Sequence, residues 1–198
     1  MKNLFLDLGT HLGQGLSHFA EMLRMDNTWE VASFEANPIT YNNFCQTKVF
    51  TELSNKLNAT FNNKAIYIQD GLTTINVETP PNEGETGMGS SIIPLSMWDP
   101  WNGTTKQFFK TSYEVECVDF SKIVGEHKGK NIFCKMDIEG AEFLVLDKMI
   151  KDNTLLLMQE IWIEFHDHFF TNHQEYFEKK SQIIQYLEFN KIKYHLWH

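Results

Sequence analysis

The sequence predicts a single α/β domain on a mainly parallel sheet. Strand and helix signals alternate along most of its 198 residues. Its first apolar run ends in Asp7, passes through Gly9, Gly13 and Gly15, and opens directly into an amphipathic stretch. Neither an internal repeat nor a domain linker interrupts residues 1–198.

Taken in order, Leu4 to Leu8 reads as the first strand. Gln14 to Arg24 reads as a helix carrying Leu16, Phe19, Ala20 and Leu23 at helical spacing. Val31 to Phe34 is a short buried strand ending at Glu35. Asn37-Pro38 then supplies an N-cap and a proline at the first helical position, for a helix expected to reach about Leu53. A third strand leads through Asn63, Lys64 and Ala65. In "IYIQDGLTTINV" apolar residues alternate on both sides of Asp70-Gly71, which signals a hairpin.

Residues 79 to 105 concentrate Pro, Gly, Ser and Trp, and a loop of that length in a compact domain is usually functional or disordered. Trp98 and Trp101 fit a lid or substrate wall, or else anchors that pin the loop to the core. Beyond it, Tyr113 to Val118 reads as a strand and Asp119 to Val124 as a short helix. Ile132 to Met136 is a buried strand, and Ala141 to Ile150 a helix with Phe143, Leu146, Met149 and Ile150 inward. Met158 to Phe165, Glu175 to Phe189 and Ile192 to Trp197 complete the chain as strand, helix and strand.

Composition excludes several classes. Lys and Arg number 17 against 26 Asp and Glu, a formal net charge of −9, and no basic run offers itself to a phosphate backbone; no nucleic-acid partner is expected. Cys45, Cys117 and Cys134 are odd in number and lack a CxxC pair, so they read as reduced, mostly buried thiols. Neither a leader-like N-terminus nor an apolar run of membrane-spanning length is present, which points to a cytoplasmic protein without a transmembrane segment.

The glycine turn is the first candidate site. A helix N-terminus after a strand presents unpaired N–H groups and a positive dipole end, and glycines let a ligand approach the backbone. The order Gly9-x-x-x-Gly13-x-Gly15 is not the G-x-G-x-x-G of dinucleotide sites. D-x-G-x-x-x-G instead resembles the first motif of class I S-adenosylmethionine-dependent methyltransferases. Glu35, at the end of the second strand, stands where an acid can take both hydroxyls of a ribose; the alternative is an exposed strand-end carboxylate.

"KMDIEGAEFLVL", Lys135 to Leu146, resembles the most specific segment of the FkbM-type methyltransferases. "FLDLGTHLGQG", "FEANP", "NKAI" and "IWIEFH" follow that family's order across nearly the whole chain. The resemblance implies a three-layer Rossmann-like sandwich whose seven-stranded, mostly parallel sheet has an antiparallel strand near one edge. It implies S-adenosylmethionine as cofactor and a sugar, glycan or small-metabolite hydroxyl as acceptor. Motif by motif, Asp7, Gly9 and Gly13 would line the methionine end, with Thr10 and His11 close by. Glu35 and Asn37 would hold the ribose side, Asn63, Lys64 and Ala65 would flank the adenine, and Asp137 and Glu139 would border the crevice.

Transfer to a hydroxyl needs an aligned oxygen and a proton acceptor. The candidates fall in "DIEGAE" (Asp137, Glu139, Glu142) and "IEFHDHF" (Glu164, His166, Asp167, His168). Strand alternation sets Glu164 and His166 on one side if the strand continues that far. His166 is the first choice of base because an unperturbed imidazole titrates near neutrality, with Asp137 second. His166 and His168 read alternatively as loop or helix caps, Glu142 as a helix-face residue in an ion pair, and Lys135 as a partner for one of the acids. Asp137, Glu164 and His166 also form an oxygen/nitrogen set suited to Mg²⁺ or Mn²⁺, though the spacing does not require a metal. Trp98, Trp101, Phe108, Phe109, Phe169 and Phe170 suit stacking on a sugar, a packed core edge or a homodimer interface. Two competing functions remain: a catalytically silent binding or scaffold subunit, and a nicotinamide enzyme, which the glycine order disfavours.

Overall fold

The computed structural model describes residues 2–78, 89–97 and 109–197. Its principal sheet contains β1 (Asn3–Leu8), β2 (Glu30–Phe34), β3 (Asn58–Asn62), β7 (Asn131–Met136), β8 (Met158–Ile163) and β9 (Lys193–Leu196), in the order β3-β2-β1-β7-β8-β9. Every adjacent pair is parallel. A second, smaller sheet holds β4 (Ala65–Tyr67), β5 (Gly71–Glu78) and β6 (Phe109–Asp119) in the order β4-β6-β5.

Side-chain alternation on β1 explains the layers. Leu4, Leu6 and Leu8 join one core, with Phe120 and Val124 of α4 (Phe120–Glu126), Phe143 and Leu146 of α5 (Glu142–Lys151), and Ile183 and Leu187 of α6 (His173–Phe189). Phe5 points the other way, into a core with Leu16 and Phe19 of α1 (Gln14–Met22), Phe44 of α2 (Pro38–Phe44) and Leu53 of α3 (Lys48–Lys56). Helices thus cover both faces of the sheet, as parallel strands buried on both sides require.

One local expectation is met by the expected chemistry. Asn37 caps α2, its Oδ1 accepting from Ile39 N and Thr40 N with Pro38 at the first position. Asp119 caps α4 by accepting from Lys122 N.

Four others are corrected. The principal sheet has six strands among the described residues, all parallel, rather than seven with an antiparallel edge strand; antiparallel pairing lies between β5 and β6. The third strand ends at Asn62, and Asn63 and Lys64 carry the chain into the second sheet. The helix from Pro38 breaks after Phe44 and restarts at Lys48, because Thr47 caps the new turn through Phe50 N. Strands β4 and β5 do not form the hairpin expected around Asp70-Gly71. The eleven-residue β6 lies between them and pairs with both, while Asp70 accepts from Asp119 N and ion-pairs with Lys122. A three-residue β4 offers β5 far fewer ladder bonds than β6 does.

Topology positions the site. From β1 the chain moves to β2 and β3 on one side; it returns through the second sheet to β7 on the other. The gap above the carboxyl ends of β1 and β7 is the switch point where open α/β sheets bind ligands.

Candidate active site

Four strand ends converge there. The glycine turn after β1 is held by Gly9 N and Thr10 N, which both donate to Phe34 O, at 3.0 and 3.1 Å. Gly9 and Gly13 have φ of +77° and +86°, in the left-handed region that favours glycine. A Cβ on Gly9 would lie 1.8 Å from Asp137 O, and one on Gly13 would lie 2.5 Å from Phe44 Cε2. Both glycines therefore let the turn dock against β7 and α2. Gly15, whose Cβ would have ordinary contacts, borders the open space.

That space is a cavity of about 370 Å³, within the size range of small-molecule sites. Of the expected cofactor residues, Gly9, Thr10, His11, Glu35, Lys64, Ala65, Asp137 and Glu139 line it. Asp7, Gly13, Asn37 and Asn63 do not. Asn37 is spent on capping α2, and Asn63 Nδ2 donates to Glu35 O at 2.8 Å, which fixes the end of β2. Lys64 pairs with Glu116 at 2.7 Å. Ser90 and Ile92 add a wall from the segment after residue 88, and Ile75 one from the second sheet.

Glu35 is tied on both carboxylate oxygens. Oε2 accepts from His11 N and Oε1 from Asn37 N, each at 2.8 Å. Burial pushes its carboxyl above the ordinary range, while these two backbone bonds pull it back. A carboxylate has about four acceptor sites, so two remain for hydroxyls. His11 Nε2 is buried in the same wall with no hydrogen-bond partner among the described residues.

Asp7 is fully buried and does not line the cavity, whereas Lys135 does. Lys135 is 3% exposed. Its Nζ donates to Gly9 O at 2.6 Å and Leu8 O at 3.3 Å, and pairs with Asp137 Oδ2 at 3.1 Å and Asp7 Oδ1 at 4.0 Å. One ammonium thus clamps the glycine turn to the end of β7. Burial pushes the Asp7 carboxyl up and the charge of Lys135 pulls it down, with a net rise. Burial opposes the charge of Lys135, and the carboxylates of Asp7 and Asp137 outweigh it, so its ammonium is retained.

At the far side, His166 joins Asp137, Glu139 and Glu164. Strand β8 ends at Ile163, so strand alternation does not place His166; a turn leading into a 3₁₀ segment, Asp167–Phe169, does. His166 is 4% exposed. Its Nε2 is 3.4 Å from Glu139 Oε2, 3.9 Å from Asp137 Oδ1 and 3.9 Å from Glu164 Oε1. Its Nδ1 meets Glu142 Oε1 at 3.0 Å. Burial disfavours the imidazolium, but the bond to Glu142 and the charges of Glu142, Glu139 and Asp137 prevail and raise His166 to about 9. Burial, with its acidic neighbours, raises Glu139 to about 8.

Glu142 makes the ion pair that the sequence reading allowed for, with His166. It is fully buried, and accepts from Ile138 N at 2.8 Å and Gly140 N at 2.9 Å as well as meeting His166. Helical spacing was the available signal: Val145, Leu146 and Met149, at i+3, i+4 and i+7, are all buried on the same face. The aromatic residues divide. Phe170 is buried and stacked on Tyr176 at 3.5 Å, Phe109 packs against the core, and Phe169 stacks on His166 at 5.0 Å. Trp98, Trp101 and Phe108 lie outside the described residues, as does most of the expected substrate loop at 79–105.

The glycine turn and the strand-end acids Glu35, Asp137 and Glu139 thus meet in one cavity at the switch point, the place where open α/β sheets bind ligands. The model of the Methyltransferase FkbM domain matches residues 7–194, and the chain belongs to that family. Among solved structures, the crystal structure of Methyltransferase FkbM from Methylobacillus flagellatus KT is similar over 75% of this chain, at 14% identity and a TM-score of 0.40. This chain covers 29% of that one. No curated protein matches the chain. Among the described residues, no helix is long and apolar enough to cross a membrane.

Proposed function

We propose that the protein transfers the methyl group of S-adenosylmethionine to a hydroxyl oxygen of a sugar or glycan. The observation that carries this is one cavity with Glu35 and the glycine turn on one side and Asp137 and Glu139 on the other. The lining fits the cofactor. Glu35 keeps acceptor capacity for ribose hydroxyls, and His11 Nε2 is a buried polar atom in need of a partner. When bound, S-adenosylmethionine supplies an electrophilic methyl on a positively charged sulfur.

The chain's own residues do the rest. Asp137, Glu164 and His166 form the catalytic set at the cavity's acidic end. Asp137 Oδ2 is held by Lys135, which leaves Oδ1 to accept the hydroxyl proton and aim an oxygen lone pair along the transfer axis. The hydroxyl proton passes to the Asp137 carboxylate as the oxygen takes up the methyl group, which a bound sulfonium would supply while keeping the bonding pair on its sulfur. His166, raised to about 9, acts as the cation that steadies the acidic set. Lys64 and Ala65 flank the adenine side.

Calorimetry with S-adenosylhomocysteine and with NAD, followed by transfer of labelled methyl to rhamnose, fucose and hexose glycosides, tests the proposal. Binding of S-adenosylhomocysteine and label in a glycoside are expected. Tight binding of NAD with none of S-adenosylhomocysteine would overturn it.

A further inference from the structure

The acidic end of the cavity has an electrostatic peculiarity that methyl transfer by itself does not require. Glu142 is fully buried and pinned by two backbone N–H groups, so its carboxylate is a fixed acceptor for the Nδ1–H of His166. That bond sets the tautomer and turns Nε2 toward Asp137, Glu139 and Glu164. Nε2 makes no hydrogen bond among the described residues, although the imidazole is 4% exposed. A neutral imidazole placed this way directs a lone pair at three carboxylate oxygens. Positive charge between them relieves this repulsion: a proton on Nε2 does so in the metal-free chain, and a bound cation would do so with the lone pair as its ligand. Lys135 does not supply it, because its ammonium is engaged with Asp137 Oδ2 and the carbonyls of Gly9 and Leu8.

We propose that Asp137, Glu139 and His166 bind a divalent cation of the Mn²⁺ or Mg²⁺ type, with Glu142 orienting the imidazole. One ligand atom from each lies within 4.8 Å of the others. Cation–ligand distances of about 2.0–2.2 Å put neighbouring ligand atoms of an octahedral ion roughly 3 Å apart. The Nε2 separations of 3.4 Å to Glu139 and 3.9 Å to Asp137 are therefore already within an ångström of a coordination edge. Two carboxylates and one imidazole favour an ion that accepts both oxygen and nitrogen, and they leave positions for hydroxyl groups. A carboxylate on the far ring nitrogen is the usual support for a metal-bound histidine. With Asp137 on the cation, Glu164, beside the three ligands, would take over from Asp137 as the proton acceptor. The cation's role toward an acceptor hydroxyl rests on the methyl-transfer proposal; its binding does not.

Electron paramagnetic resonance on the full chain titrated with Mn²⁺ tests the site. One bound Mn²⁺ per chain is expected, displaceable by Mg²⁺, with a ¹⁴N coupling from a directly bound imidazole. Asp137→Asn and His166→Gln should each weaken binding at least tenfold, while Asp147→Asn, on the exposed face of α5, should not. Absence of bound Mn²⁺ at millimolar concentration, or bound Mn²⁺ without the nitrogen coupling, overturns the proposal, and the coupling needs no variant. Calorimetry with S-adenosylhomocysteine on the same sample separates the two proposals. Cofactor binding without Mn²⁺ binding removes only the cation site. Mn²⁺ binding without cofactor binding upholds the site and removes the methyl-transfer reading.

Discussion

Replacing Glu142 with alanine deletes a hub of three contacts, and the loss can be worked from them. The carboxylate accepts from Ile138 N at 2.8 Å and Gly140 N at 2.9 Å, and meets His166 Nδ1 at 3.0 Å, all without exposure to solvent. Hydrogen bonds to a charged group contribute about 1.5–3 kcal/mol each, and a buried donor left unpaired costs a similar amount. The two backbone bonds alone therefore set a loss of about 3–6 kcal/mol, against a typical total stability of about 5–15 kcal/mol. Glu142→Gln keeps the shape and one carbonyl acceptor but places an NH₂ against one of these donors, so its loss should be about 1–3 kcal/mol. Urea unfolding at pH 7 measures both variants, and hydrogen exchange at the amides of Ile138 and Gly140 should quicken in each. A Glu142→Ala chain within about 1 kcal/mol of the parent, or one more stable than Glu142→Gln, would refute the assignment of Glu142 as the support of this turn.

Further outcomes follow from the same geometry. Lys135→Met leaves the buried Asp7 without its cation and frees the Gly9 carbonyl, so it should cost about 3–5 kcal/mol in urea unfolding; adding Asp7→Asn should recover part of that. Glu35→Gln should weaken S-adenosylhomocysteine binding about tenfold or more by calorimetry, since a neutral amide bonds ribose hydroxyls less well than a carboxylate. His166→Ala should slow methyl transfer while leaving S-adenosylhomocysteine affinity within about threefold, because His166 does not line the cavity that Glu35 borders. For pH, Asp7 has a folded carboxyl raised above its ordinary value by burial. The folded state therefore holds its proton more tightly, and this contribution to stability is present at low pH and lost as pH rises past the ordinary carboxylate range. The stability of Asp7→Asn relative to the parent should accordingly improve from pH 4 to pH 7 in urea unfolding; a difference that is flat or declines would contradict the shift.

How much was legible can be judged residue by residue. The strands that pass through the principal sheet were readable because a strand buried on both faces must be a short apolar run, as in Leu4–Leu8 and Ile132–Met136. The cap at Asn37 follows from local chemistry that needs no distant partner. The hairpin failed for the opposite reason. Alternation around Asp70-Gly71 specifies extended backbone on both sides, yet pairing is settled by which edge is nearest, and β6, well removed in sequence at Phe109–Asp119, supplied it.

The same division runs through the site. The sequence by itself determined that a glycine turn follows β1, that Glu35 ends β2, and that an acidic segment follows β7, because each is a local property of a strand end. Only the tertiary structure decided what each side chain does. Packing placed Asp7 under Lys135 rather than in the cavity, and turned Glu142 inward to hold His166. It also set four carboxylates around one imidazole, raising it to about 9. Burial and through-space charge govern those outcomes, and both depend on groups brought together from distant parts of the chain.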